Sequence, residues 1–218
     1  MSESISKHPY LPYIPEGAVK LIIGSIPPQR FCIEGKRLEE GDTDFYYGAK
    51  RNLFWRILSE ISGKDFKYDN SKEAVNERKS FLAKLGFGIT DIIDVCIHKD
   101  GRAADEDLLD INSRQPLANP KDAKQIFNGT YKDIVKLLLE NPSICHLFYT
   151  SEFVKEQCEN HIFQKKHTEL NRENRTYQIA INGKEYEVLL LYSPSPIIRC
   201  HIQTQKRKEQ YRKVFFGI

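Results

Sequence analysis

Apolar residues fall along this chain in two patterns, short continuous runs and longer stretches with helical spacing. Four of the short runs predict strands. Residues 19–23 (VKLII) are bounded by Gly24 and the Pro27-Pro28 pair. Residues 87–95 (FGITDIIDV) follow Gly86, residues 144–150 (ICHLFYT) follow the turn signal Asn141-Pro142, and residues 187–192 (EVLLLY) run into Ser193-Pro194-Ser195-Pro196. Continuous β-branched and aliphatic runs suit strands covered on both faces, as in a parallel sheet with helices on each side. Between them, residues 52–61, 72–85, 131–140, 152–161 and 202–215 carry apolar positions at helical spacing. Asn182-Gly183, set between alternating residues, predicts a hairpin that leads into the last strand.

Strands alternating with helices imply a three-layer α/β/α sandwich around a central, mainly parallel, four-stranded sheet. The 218 residues fit one domain spanning 1–218, with a flexible polar start. A chain that is 40% hydrophobic can build its core without staples. Residues 1–7 lack the apolar segment of a secretory signal. No apolar run approaches the roughly 20 residues needed to span a bilayer. The five cysteines are odd in number and none has C-x-x-C spacing. They read as reduced, buried thiols of a cytoplasmic protein, with no metal and no cofactor expected. Net charge is only +3, but residues 199–213 set Arg199, Lys206, Arg207, Lys208, Arg212 and Lys213 against the single acid Glu209. Such a basic end suits an anionic partner, or is simply a solvated helix face.

Sites in open α/β sheets lie beyond the carboxyl ends of the strands. That rule selects residues 25–30, 96–107, 150–153 and 193–200, three of which are rich in Pro, Ser, Gly or charge.

Within these segments four blocks carry a resemblance: LIIGSIPPQRF (21–31), DFYYGAKRNLFWRIL (44–58), GITDIIDVCIHKDGRAADEDL (88–108) and LLLYSPSPIIR (189–199). In order and content they resemble the uracil-DNA glycosylase superfamily, nearest to its hypoxanthine-DNA and mismatch-specific uracil-DNA branches. The resemblance implies a monomeric base-excision enzyme that flips a deaminated base, uracil or hypoxanthine, out of DNA and hydrolyses its glycosidic bond. Most branches place an Asp or Asn where this chain has Ile26, and an aliphatic side chain cannot orient water. The hypoxanthine-type branch is also apolar there and keeps the Asn of Arg-Asn-x-Phe-Trp, which is Asn52 here. The commonest branch opens its second motif with His, where this chain has Ser193.

Carried over residue by residue, the resemblance makes Tyr47, with its neighbour Tyr46, the aromatic wall against which a base stacks. Asn52 would hold the attacking water or bind the base edge; on local grounds it also reads as a helix N-cap. Backbone N–H groups near Ile26 and Gln29 would bind a base carbonyl, and Asp91 would lie beside the base. Ser193, Ser195 and Pro196 would grip the DNA backbone, with Ile197 as apolar wedge and Arg199 and His201 as phosphate contacts. Two rivals stay open: a relative that binds DNA without chemistry, and a small-molecule or nucleotide hydrolase. The second would need a phosphate cradle, and no G-x-G-x-x-G or P-loop is present.

Overall fold

The computed structural model describes residues 4–33, 35–98, 129–196 and 201–217. Among the described residues nine strands form in chain order: β1 (Ser4–Lys7), β2 (Lys20–Gly24), β3 (Phe87–Asp91), β4 (Ile93–His98), β5 (Gly129–Tyr131), β6 (His146–Tyr149), β7 (Thr168–Asn171), β8 (Thr176–Ile181) and β9 (Lys184–Leu190). The helices are α1 (Gln29–Cys32), α2 (Phe54–Ser62), α3 (Lys72–Lys84), α4 (Ile134–Glu140), α5 (Glu152–Gln157) and α6 (His201–Phe216). A π-helical turn, Cys158–Ile162, continues α5.

The main sheet has six strands in the order β3-β2-β6-β9-β8-β7, not the four expected. Its first four strands are parallel, and β8 and β7 extend it antiparallel. Asn182 and Gly183 both adopt positive φ, 49° and 81°, as the two-residue turn joining β8 to β9 requires. A separate three-stranded antiparallel sheet has the order β1-β4-β5. The apolar run 87–95, which reads as one strand, therefore serves two sheets. It divides at Ile92, whose N–H bonds to Gly24 O at 2.9 Å while that of Ile93 bonds to Ser25 O at 3.1 Å.

Side-chain alternation along β2 divides the core between two layers. Leu21 and Ile23 join Ile134 and Leu138 of α4 and Phe153 and Val154 of α5 on one face. Ile22 joins Phe54 and Trp55 of α2, Leu82 of α3, and Tyr211 and Phe215 of α6 on the other. Ser71 caps α3 by accepting from Ala74 N, and Ser151 caps α5 by accepting from Val154 N. Among the described residues no helix is long and apolar enough to cross a membrane.

Beneath the hairpin, Glu159 is buried in the π-helical turn and collects charge-assisted hydrogen bonds. Lys155 Nζ donates at 2.8 Å and Lys166 Nζ at 3.2 Å. The His167 backbone N–H donates at 3.1 Å, and its ring Nδ1 lies at 2.9 Å. Burial alone would raise the Glu159 carboxyl, but these donors overcome it and hold it near about 2, against an ordinary 4.5. A depressed carboxyl stabilises the fold above the unfolded value and loses that contribution as pH falls toward the folded one. Glu159→Ala is expected to cost about 2–3 kcal/mol in urea unfolding at pH 7. The difference from wild type should shrink between about pH 4.5 and pH 2; a difference constant across that window would contradict the assignment.

Candidate active site

Register gathers the carboxyl ends of the parallel strands into one edge. Gly24 stands beside Asp91, and Tyr149, the last residue of β6, leads into Thr150, whose N–H bonds to Ile23 O at 3.1 Å. Leu191 N–H reaches across from the end of β9 to Tyr149 O at 2.8 Å. Four chain exits thus converge where open α/β sheets bind ligands.

The loop that carries the two tyrosines is fixed by a buried carboxylate. Asp42 is fully buried and accepts from Arg30 Nε at 2.9 Å and Nη2 at 3.0 Å. It also accepts from the backbone N–H groups of Glu39 at 2.9 Å and Lys50 at 2.8 Å. Burial would raise this carboxyl, yet the donors hold it below its ordinary value. The clamp ties α1 to the loop, and Thr43 N–H closes the loop on Gly48 O at 2.8 Å. A Cβ at Gly48 would lie 1.8 Å from Thr43 O, so only glycine fits there.

The adjacent tyrosines separate. Tyr46 is buried in the core, donates its hydroxyl to Leu11 O at 3.1 Å, and accepts Trp55 Nε1–H at its carbonyl at 2.8 Å. Tyr47 stays partly exposed at the sheet edge. It adopts a left-handed backbone, φ 56°, uncommon for an aromatic residue. Its ring stacks on Phe54, with centroids 4.7 Å apart. Its hydroxyl donates to Thr150 Oγ1 at 2.9 Å. Burial, and after it the Asp91 charge, raises this hydroxyl well above the usual phenol range.

Asn52 is partly buried two residues before α2, whose N-cap position is held by Leu53, and its Oδ1 accepts Phe54 N–H at 2.9 Å. The next residue, Leu53, donates its N–H to Pro194 O at 3.0 Å, joining the Ser/Pro loop to the start of α2. Within that loop Ser193 Oγ accepts Ser195 N–H at 3.2 Å, and Pro196 is exposed. Gln210 Oε1 accepts Tyr192 N–H at 2.7 Å, bracing the loop from α6. Ile26 is partly buried against the core face that holds Leu21 and Ile23. Gln29 is the first residue of α1 and is also partly buried. Ile197 and Arg199 lie outside the described residues; His201 begins α6, where only its backbone is described.

Asp91 is only 4% exposed. Its Oδ2 pairs with His8 Nε2 at 2.9 Å. Lys132 Nζ lies 2.8 Å from His8 Nδ1 and donates to Tyr10 O at 2.8 Å. Burial lowers the Lys132 ammonium to about 8, against the raising influence of Asp91, Asp94 and Cys32. His8 and Lys132 carry no motif, and they sit 83 and 41 positions from Asp91 in the chain (91 − 8 and 132 − 91). Sequence reading misses them for that reason. The basic end also narrows. Arg207 is buried, with Nε and Nη1 unpartnered among the described residues, and Lys208 pairs with Glu60, while Lys206, Arg212 and Lys213 are exposed. Two open grooves have volumes of about 800 and 690 Å³, and the second reaches Tyr192 and Gln210 beside the Ser/Pro loop. The first is flanked by α3, and the second runs between the β8–β9 hairpin and α6.

No protein-family model matches this chain, and no curated protein matches it. Among solved structures it is similar to the solution NMR structure of a Methanosarcina acetivorans protein provisionally described as a uracil DNA glycosylase. The TM-score is 0.55 at 15% sequence identity, covering 97% of this chain and 99% of the other. The likeness extends over the whole fold and establishes the architecture, a mixed α/β sheet flanked by helices.

A Cβ at Gly24 would lie 2.1 Å from the Tyr47 hydroxyl and 2.2 Å from Asp91 Oδ1. Gly24→Ala is therefore expected to cost about 1–3 kcal/mol by overpacking. Adding Tyr47→Phe, which removes the nearer atom, should return part of that loss in chemical unfolding. Strictly additive effects would show that the two side chains do not meet over Gly24.

Proposed function

We propose that this chain is a monofunctional DNA glycosylase that hydrolyses the N-glycosidic bond of a deaminated base, uracil or hypoxanthine, and leaves an abasic site. The observation that carries the reading is the convergence of Tyr47, Asn52, Asp91 and the Ser193–Pro196 loop on one sheet edge, although they come from three separate parts of the sequence. Support for the scaffold comes from the M. acetivorans protein, provisionally described as a uracil DNA glycosylase, whose fold is similar over nearly its full length.

Glycosidic cleavage needs little nucleophilic force, because the sugar acquires oxocarbenium character as the base leaves. The protein must extract the base, seat a water near the anomeric carbon and stabilise charge on the departing ring. Extraction costs a few kcal/mol of unstacking. Stacking on Tyr47 returns part of it, since such contacts are worth about 1–3 kcal/mol per base. Asn52 seats the water: its Oδ1 already accepts Phe54 N–H, but an amide oxygen has a second lone pair. Backbone N–H groups at the Ile26–Gln29 turn take a base carbonyl as an oxyanion hole would. Ser193 and Ser195 contact the phosphates, with Ile197 entering the vacated stack and Arg199 and His201 beside it. The enzyme works as a cytoplasmic monomer without metal, with DNA as its partner.

A second reading, a DNA-binding relative without chemistry, is favoured by the bond Asn52 Oδ1 already makes and by the aliphatic Ile26. Labelled duplexes carrying uracil or hypoxanthine, treated with alkali after incubation, separate the two. Wild type is expected to give strand breaks. Asn52→Ala should slow single-turnover release by roughly 100-fold or more, and Tyr47→Ala by about 5- to 150-fold. Salt-dependent DNA binding with no break on any substrate would select the second reading.

A further inference from the structure

We propose that Arg207 is a DNA-phosphate ligand, its buried guanidinium set behind the Ser193–Pro196 loop to pair with a phosphodiester of the strand that this loop grips. The inference rests on DNA being the ligand, as in the reading above, and adds to it a residue outside every motif block.

The position of Arg207 follows from how α6 meets the sheet. The far end of the helix lies at the amino edge, where the Phe215 ring stacks on that of Phe87, the first residue of β3, with centroids 4.6 Å apart. Its middle is level with the end of β9. Gln210 Nε2 donates to Leu190 O at 3.1 Å, Gln210 Oε1 accepts Tyr192 N–H at 2.7 Å, and the Tyr211 hydroxyl donates to Tyr192 O at 3.2 Å. The helix begins at His201, nine residues before Gln210 (210 − 201). Its first turns therefore overhang the carboxyl edge, by as much as about 13 Å at the helical rise per residue. Arg207, Tyr211 and Phe215 share the buried face at four-residue spacing. Tyr211 and Phe215 meet the core, whereas Arg207 occupies that face where the strand beneath has ended. Helical side chains lean toward the N-terminus, which carries the guanidinium toward the Ser/Pro loop.

Nothing in the described structure answers this charge. Arg207 is 1% exposed, and its Nε and Nη1 are buried without a hydrogen-bond partner among the described residues. The single acid of α6, Glu209, accepts from Gln205 Nε2 at 3.0 Å, and the single acid of α2, Glu60, pairs with Lys208. Arg78, also buried with two bare nitrogens, supplies the contrast. It donates Nη1–H to Ala74 O at 2.9 Å, and its guanidinium lies 5.3, 5.6 and 5.3 Å from the rings of Trp55, Phe66 and Tyr68. Those ring faces stabilise the Arg78 cation; Arg207 has no such box among the described residues. A buried charge without a counter-charge destabilises the free protein. A phosphodiester supplies the missing anion, and its oxygens match the planar guanidinium fork. Lys206 and Lys208 flank Arg207 on the helix and keep the local potential positive.

Arg207→Met keeps a stem of similar length and removes the charge, so two measurements on the full chain test the claim. In urea, without DNA, the variant's unfolding midpoint should equal or exceed that of wild type. A lower midpoint, or a variant that does not fold, means that the fold itself matches the charge and overturns the claim. The second measurement is fluorescence anisotropy with a duplex carrying a tetrahydrofuran abasic analogue, which has no base to release. Arg207→Met should bind about 10- to 100-fold more weakly, and its slope of log affinity against log salt should flatten by about 0.9. Single methylphosphonates are then placed along the strand beside the analogue. One of them should weaken wild type while leaving Arg207→Met unchanged. Equal affinity and slope in the two proteins, or losses that add at every phosphate, overturn the claim. Wild type that binds the duplex but cleaves no base removes the glycosylase chemistry and leaves Arg207 to be judged by these titrations. Wild type that binds no DNA overturns both.

Discussion

A carboxylate enclosed at the end of a parallel sheet is stable only when its charge is matched and its oxygens are hydrogen-bonded. Much of this molecule is arranged around that requirement at Asp91. The small β1-β4-β5 sheet delivers the matching groups: His8 follows β1, Lys132 follows β5, and His8 N–H ties to Asp94 O at 2.7 Å. On the other side the demand is for space, and Gly24 supplies it where any side chain would meet Asp91 and Tyr47. A sheet that looks peripheral to the core therefore supports the centre of the candidate site.

The same logic fixes the flanking parts. Asp42, saturated by Arg30 and two backbone N–H groups, makes a loop between α1 and α2 rigid enough to hold Tyr47 in a left-handed conformation. Backbone strain of this kind persists where the surroundings over-determine it, and it gathers at functional sites. The bond from Leu53 to Pro194 then joins the tyrosine block to the Ser/Pro loop through backbone atoms alone. In the proposed reaction the stacking surface, the water-binding amide and the phosphate-gripping loop are thus parts of one frame, which suits chemistry that depends on positioning.

How far this was legible in the sequence depended on how local each cause is. Three of the four parallel strands, five helical segments and the Asn182-Gly183 hairpin follow from patterning within ten or so residues and form near their expected bounds, while the run 87–95 gives a parallel strand only over Phe87–Asp91. The extra strand β7 was not legible, because each of its residues is exposed and no apolar alternation marks it. The division of 87–95 between two sheets was hidden for another reason: the run is apolar throughout, and only tertiary hydrogen bonds to Gly24 and Ser25 divide it. At the site, Tyr47, Asn52 and Asp91 stood in recognisable blocks, while His8 and Lys132 act through contacts that no motif encodes. Arg207 shows the opposite error, since charge counting sets on the surface a residue that the fold buries.

The central claim is that a flipped base is held at the carboxyl edge of the parallel strands. It is tested most directly by a crystal structure of the protein with duplex DNA whose hypoxanthine nucleotide carries a 2′-fluorine, which blocks departure of the base. The account expects the base against the Tyr47 ring and beside Asp91, with the Ser193–Pro196 loop on the adjoining phosphates. DNA seated on another face, with no base at this edge, would contradict it.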